Sequence, residues 1–268
     1  MKREFAVLGI VIALGVGLLG GWFIPSPIPE PQRVSVLDQI KSRNLVIGTE
    51  AYYEPFEFWN TTKDPDEIEG FDVDLCNMIA EALGVNITWI DMVFDSLIPA
   101  CVGGTVDMIA AAMTINDIRS KQLAPSLAYI TVGQAVVGRN DSALSITQLS
   151  DLSNVYVGVQ DGTTLKADLI AAGVNPPYLV TFSDVSGMMI DLINDITIDA
   201  AYIDEPVFHA WSASYDLKLL FQSGTEPFGL WTRYGEPELL NEINKVIHEG
   251  FLDGSIYDLY EKWLNITT

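Results

Sequence analysis

Apolar and polar positions along this chain fall into blocks that switch repeatedly between a helical and an extended period. Residues 34–41 carry apolar positions at helical spacing, and 44–49 form a short apolar run of strand type. A helical period returns after Gly70, with Leu75, Met78, Ile79 and Leu83 on one face and Gly84 placed to terminate it. Residues 86–92 read as the next strand, and 96–102 as a helix capped by Asp95 and stopped at Gly103-Gly104. Met108 to Met113 is unbroken apolar sequence, as expected of a parallel strand covered on both faces. Thr114, Asn116 and Asp117 then stop the strand and can cap the next turn. Strand, helix, strand, helix, strand predicts an α/β domain with a parallel sheet.

Past Tyr129 the pattern changes. Residues 132–138 read as one extended crossing segment, and a second α/β unit comes after it. It comprises a turn at 149–152, a strand at 155–159, a loop at 160–164 and a helix at 165–172. A helix at 188–194 comes next, then a strand at 200–203 ending in Asp204-Glu205-Pro206, and a strand at 217–221. Residues 228–231 return as a second crossing segment, and amphipathic helices at 237–252 and 255–264 close the chain.

Composition adds a compartment and excludes a class of partner. The 268 residues hold 36 acidic against 14 basic side chains, a formal charge of -22 that argues against binding nucleic acid phosphates. Met1-Lys2-Arg3 precedes the apolar run 5–24, long enough to cross a bilayer core of about 30 Å. Residues 1–24 are a signal peptide or a membrane anchor. An uncleaved anchor is preferred, because the run ends Gly20-Gly21-Trp22-Phe23-Ile24 without a small-residue cleavage site. The basic N-terminus places the remainder outside the cytoplasm, on the outer face of the cell membrane, periplasmic or secreted. Residues 25–36 begin with alternate prolines and form a stiff spacer. Asn60, Asn86, Asn140 and Asn265 head glycosylation sequons, and Cys76 and Cys101 read as small buried hydrophobes whose spacing leaves a bridge open.

Candidate chemistry lies where strands end, because ligands of open α/β sheets sit outside the carboxyl ends of strands. Arg119, with the Thr114 hydroxyl, can hold a small anion there, although the same spacing suits a solvated arginine in a surface ion pair. Glu50 and Tyr53 stand just past another strand end. The loop Gln160-Asp161-Gly162-Thr163-Thr164 joins a strand to a helix N-terminus, which suits a carboxylate, or serves only to cap that helix. Asp204, at a third strand end, can complement an ammonium group. His209 and His248 stand on helical patterns and read as structural.

Taken together, these pieces resemble the polar amino acid binding proteins of ABC importers, the family 3 extracellular solute-binding proteins. The matching stretches are Val46-Ile47-Gly48-Thr49-Glu50 with Pro55-Phe56-Glu57-Phe58, Gly70-Phe71-Asp72-Val73-Asp74-Leu75, and Phe94 with Leu97-Ile98-Pro99-Ala100. They continue through Val106-Asp107-Met108-Ile109, Met113-Thr114-Ile115, Arg119, Gly158-Val159-Gln160, Gly162-Thr163-Thr164, Asp199-Ala200-Ala201, Asp204 and Glu238-Leu239-Leu240.

The resemblance implies a two-lobed periplasmic-binding-protein-like (type II) fold with two crossing hinge strands. Residues 37–132 and 225–268 would form lobe 1, and 133–224 lobe 2. It implies that Arg119 grips a ligand α-carboxylate with help from Thr114, Thr163 and Thr164. Asp204 and the Ala112 carbonyl would take the α-ammonium, while Tyr53 and Phe94 sandwich the side chain beside Glu50 and Gln160. A glycine often stands where Ala112 does, and since only the carbonyl is used, little harm is expected. The implied function is capture of a polar, cationic amino acid, arginine or lysine, by lobe closure and its delivery to ABC permease subunits, by a monomer that needs no cofactor or metal. Glutamine or histidine binding is the alternative, and a cyclic-amino-acid dehydratase on the same scaffold a more distant one.

Overall fold

The computed structural model of the protein describes residues 35–266. The expected membrane segment 1–24 and the Pro-rich run after it lie outside the described residues. Among the described residues no helix is long and apolar enough to cross a membrane.

Helix α1 (Val36–Lys41) begins at Ser35, whose hydroxyl accepts from the Asp38 amide at 3.1 Å. Then come β1 (Leu45–Thr49), a small antiparallel sheet of β2 (Tyr52–Tyr53), β3 (Glu57–Asn60) and β4 (Glu67–Glu69), and α2 (Phe71–Leu83). The chain continues through β5 (Ile87–Asp91), a 3-10 turn at Phe94–Ser96, α3 (Leu97–Gly103), β6 (Met108–Ile109), a 3-10 turn at Arg119–Lys121, and β7 (Leu123–Pro125). The long β8 (Ile130–Arg139) leads to β9 (Val157–Gln160), α4 (Thr164–Ala171), β10 (Leu179–Phe182), α5 (Val185–Ile193), β11 (Ala200–Asp204) and α6 (Glu205–Ser212). Strand β12 (Leu217–Phe228) returns to β13 (Trp231–Arg233), α7 (Pro237–Asp253) and α8 (Ser255–Leu264).

Two five-stranded sheets share one plan. The first runs β5-β1-β6-β13-β7 and the second β10-β9-β11-β8-β12. In each, three parallel strands are followed by an antiparallel neighbour. Both faces of each sheet are covered by helices, which is why β1 and β9 read as continuous apolar runs. On the first sheet, Ile47 and Met108 pack under Phe71, Leu75 and Ile79 of α2. The opposite face packs Ile109 and Trp231 against Leu97 and Cys101 of α3. On the second, Ala135, Val137 and Ile203 meet Met188 and Leu192 of α5. Val136, Val159 and Tyr202 meet Leu165 and Leu169 of α4 on the other side. The chain leaves the first sheet through β8 and comes back through β12, giving the two-lobed type II arrangement with two crossing strands. Cys76 and Cys101 are buried and unbridged.

Four details depart from the sequence reading. The apolar run 108–113 is a strand only at Met108–Ile109. Ala110–Met113 turns away, because the Ala112 amide is drawn to Asp72 Oδ2 at 3.0 Å and the residue adopts φ 44°. The second crossing is not at 228–231. It is the end of one unbroken strand, Leu217–Phe228, paired with β8 from Leu217 opposite Arg139 to Phe228 opposite Ile130. Asp95 caps nothing, since the 3-10 turn feeds directly into α3 with no side-chain cap. Finally, the expectation that alanine at 112 costs little meets a backbone in the left-handed region, where an L side chain is disfavoured by about 1–2 kcal/mol.

A buried latch fixes the lower edge of the first sheet. Asp107, 3% exposed, accepts from Arg43 Nη1 and Nη2 at 2.7 Å each and from the Val46 amide at 2.9 Å, joining the entry to β1 to the entry to β6.

For stability, these contacts give two expected outcomes. Ala112→Gly should raise the unfolding free energy by about 1 kcal/mol by relieving the left-handed backbone. Asp107→Ala should lower it by about 1–3 kcal/mol, because it leaves the Val46 amide without its acceptor and the Arg43 guanidinium with only the Asn44 carbonyl. Urea titrations with unchanged m-values and shifted midpoints would report both.

Candidate functional site

Strand ends from the two sheets converge on one small cavity, lined by Tyr53, Phe94, Ala111, Ala112, Thr114, Arg119, Gln160, Thr163, Leu165 and Asp204. Its volume is about 20 Å³, close to what one water needs, so the lobes are drawn together around it. Further contacts hold them shut. Tyr53 Oη donates to Asp204 Oδ2, and Ser186 Oγ to the Tyr52 carbonyl at 3.3 Å. Gly162, at φ +75°, approaches so closely that a Cβ there would lie 2.8 Å from Asp95 Cβ, which only glycine permits.

Arg119 is fixed from its own loop. The Asn116 side chain accepts from the amides of Ile118 and Arg119 at 3.0 and 2.9 Å, a local turn that leads into the 3-10 turn. The guanidinium is 5% exposed, with Nη1 donating to the Thr114 carbonyl at 3.0 Å and Nη2 to the Gly162 carbonyl at 3.4 Å. Its Cζ stands 5.3 Å from the centre of the Phe94 ring. Among the described residues no carboxylate reaches it at ion-pair distance. Burial lowers its pKa to about 10, opposed by the negative charges of Glu226 and Asp204. The surface ion pair considered from the sequence is thereby excluded.

Asp204 ends β11, 5% exposed. Its Oδ2 accepts from Tyr53, while Oδ1 has no partner among the described residues. Burial raises its pKa to about 7; the Tyr53 hydrogen bond counters this, Glu226 adds to it, and Arg119 opposes it. Gln160 ends β9 and donates to the Ser183 carbonyl at 3.3 Å. Thr163 caps α4, its hydroxyl accepting from the Lys166 amide at 3.4 Å and donating to the Gln160 carbonyl at 2.7 Å.

Two expected site residues stand just outside the cavity wall. Glu50, 2% exposed, lies behind it with Oε1 unpartnered among the described residues. Burial is the main reason its pKa rises to about 8; the Gln160 amide works the other way, and Asp184 and Asp91 add to the rise. Deeper still, burial holds Glu57 well above the carboxylate range, with Asp72 and Glu50 adding repulsion. Thr164 opens α4, and its hydroxyl donates to Glu226 Oε2 at 2.7 Å. Thr114, from the other lobe, donates to the same oxygen at 2.5 Å.

Three residues were missed from the sequence. Ala111 and Leu165 are chain neighbours of named positions and could have been added by adjacency. Glu226 carried a signal that was overlooked: a lone acid before Pro227 in the segment returning between the lobes.

With this geometry in view, the comparisons with known proteins agree. The sequence profile of the bacterial extracellular solute-binding proteins, family 3, matches residues 45–266. The chain is 32% identical over 228 residues to the arginine-binding extracellular protein ArtP of Bacillus subtilis (strain 168), covering 82% of this chain and 86% of that protein. A mutant of ArgBP from T. maritima superposes with a TM-score of 0.79 at 34% identity, covering 86% of this chain and 99% of the other. An ancestral arginine-binding protein bound to glutamine gives a TM-score of 0.75 at 36% identity, covering 83% and 98%. A match that spans most of the described chain, on a fold whose strand ends converge as these do, makes the protein a member of the bacterial extracellular solute-binding proteins, family 3.

Proposed function

We propose that this protein captures a free amino acid with a cationic side chain, arginine or lysine, outside the cytoplasm and delivers it to the permease subunits of an ABC importer. The observation that carries the reading is a buried guanidinium from one lobe and a buried carboxylate from the other lining a single cavity. A zwitterion leaving water needs both of its charges met, and Arg119 and Asp204 each retain capacity to meet one. The Thr114 and Thr164 hydroxyls add donors around the carboxylate, whereas the one O–H of Thr163 is spent on the Gln160 carbonyl. Tyr53 and Phe94 supply the faces against which a side chain packs.

Glu50 bears on selectivity. A buried carboxylate with one oxygen unpartnered, behind Gln160, suits a guanidinium or ammonium at the far end of the ligand. Relatives named for arginine, for lysine, arginine and ornithine, and for histidine support a basic ligand here. Glutamine remains the alternative, supported by the glutamine-bound ancestral structure. A dehydratase would need an acid–base group in the cleft, a part that Asp204 or Glu50 can fill, but the relatives named for amino acid binding support capture instead; His209 lines a separate pocket beside Glu205. The protein acts as a monomer, held to the membrane by residues 1–24. Opening and closing of the lobes is the event the importer reads.

Arg119→Ala or Asp204→Ala should weaken amino acid binding by two to three decades, the consequence of losing about 3–5 kcal/mol when one partner of a buried pair is removed. Isothermal calorimetry with L-arginine, L-lysine, L-histidine and L-glutamine tests this and ranks the ligands; an unchanged dissociation constant in either variant would refute the assignment.

The raised carboxyls set opposite pH trends for stability and binding. Glu50 and Asp204 hold protons in the folded protein at a pH where they would be ionised in the unfolded chain, so the native state binds more protons. Their contribution to stability without ligand is therefore fully present below the unfolded carboxyl range and is lost as pH rises through about 7 and 8. A cationic ligand needs both groups ionised, so binding at pH 7 should release protons, and affinity should fall as pH is lowered from 8 to 6. Calorimetry in buffers of different ionisation enthalpy and melting curves from pH 5 to 8 check both signs.

A further inference from the structure

Glu226 has no role in the proposed recognition scheme, yet its carboxylate occupies the centre of it. Oε2 accepts from Thr114 of the first lobe at 2.5 Å and from Thr164 of the second at 2.7 Å. These two hydroxyls are among the donors assigned to the ligand's α-carboxylate. The residue lies on β12 opposite Val132 of β8, on the paired strands that join the lobes, with Pro227 and Phe228 tied to the loop bearing Thr114. The Ile115 amide donates to the Pro227 carbonyl at 2.8 Å, which fixes that backbone at the mouth of the site.

We infer that Glu226 is a specificity-determining residue that competes with the α-carboxylate of an amino acid for the hydroxyls of Thr114 and Thr164. The inference rests on the amino acid reading of the site. One oxygen bridging a donor from each lobe does what a bound carboxylate would do, and so supplies part of the closing force from within the chain. It stops short of an ion pair with Arg119, so that guanidinium keeps its own demand for an anion.

In the closed form an amino acid must therefore displace Glu226 from both hydroxyls, or place a second carboxylate beside it and meet like-charge repulsion. A ligand without a carboxylate faces neither penalty. Charge adds a bias toward basic ligands. Asp204 and Glu226 set two negative charges against the one guanidinium of Arg119, an excess of one. A neutral zwitterion leaves that excess untouched, whereas an amino acid with a cationic side chain reduces it by one.

The test compares wild-type protein with Glu226→Gln and Glu226→Ala by calorimetry, using matched probes that differ only in the carboxylate: L-arginine with agmatine, and L-histidine with histamine. Glutamine at 226 keeps the shape and loses the charge, and the partly exposed position leaves folding intact, which melting curves verify. The expected result is a gain of tenfold or more in affinity for the amino acids, with the amines unchanged or weakened. Small-angle scattering without ligand should show both variants more expanded than wild type. Amino acid affinity that stays the same or falls in both variants would overturn the inference, as would equal shifts for amino acid and amine. If neither amino acid binds the wild-type protein, the reading of the site fails, and this inference fails with it.

Discussion

A guanidinium taken out of water without a carboxylate at contact distance is the constraint around which this protein is arranged. Removing Arg119 from solvent is costly unless its donors are met, and the fold meets only some of them, through the carbonyls of Thr114 and Gly162. Beyond these it feels Asp204 of the opposite wall and Glu226 only at long range, without contact. In a chain with so large an acidic excess, a buried cation ringed by acids is held charged by its surroundings. It is therefore able to take an anion into a space that would otherwise reject one.

The acids around it obey the same logic with the sign reversed. Asp204 ends a buried strand and Glu50 stands just past another, so each sheet carries its carboxyl inward until desolvation dominates its titration. Glu57 and Asp72 extend this file of buried acids behind the cavity, Asp72 with its pKa raised to about 6 chiefly by burial. Asp72 also holds the Ala112 amide, and this one hydrogen bond turns the chain away from β6 into the site. Backbone geometry at the cavity floor thus depends on a carboxylate that the cavity itself never meets.

How much of this could be read beforehand depended on whether local pattern or distant contact decides each element. The alternation of apolar strands and amphipathic helices carried the two α/β units, because burial on both faces leaves a continuous apolar signature at Leu45–Thr49 and Val157–Gln160. Arg119, in the loop beyond one such run, and Asp204, at the end of another, stood out as charges, and the structure brings them to one cavity. The left-handed turn at Ala112 could not be read, since its cause is a carboxylate 40 residues earlier. The length of β12 was hidden for a similar reason: its ladder partner is β8, and the polar residues Gln222 to Thr225 break the apolar run while the backbone continues. With that strand cut short in the sequence pattern, Glu226 fell in an unassigned gap.

The irregularities in the β8–β12 ladder have a mechanical meaning. Its register shifts between Leu219 and Phe221 and again between Gln222 and Thr225, whereas Thr225 to Phe228 pair in unbroken order with Gly133 to Ile130. A ribbon yields first where rungs are skipped, so the fulcrum lies on the far side of Thr225. Everything beyond that point, Glu226 included, then swings as one piece with the half of the molecule that carries Thr114. Parting the jaws stretches the link to Thr164 alone, leaving the carboxylate leashed to a single hydroxyl.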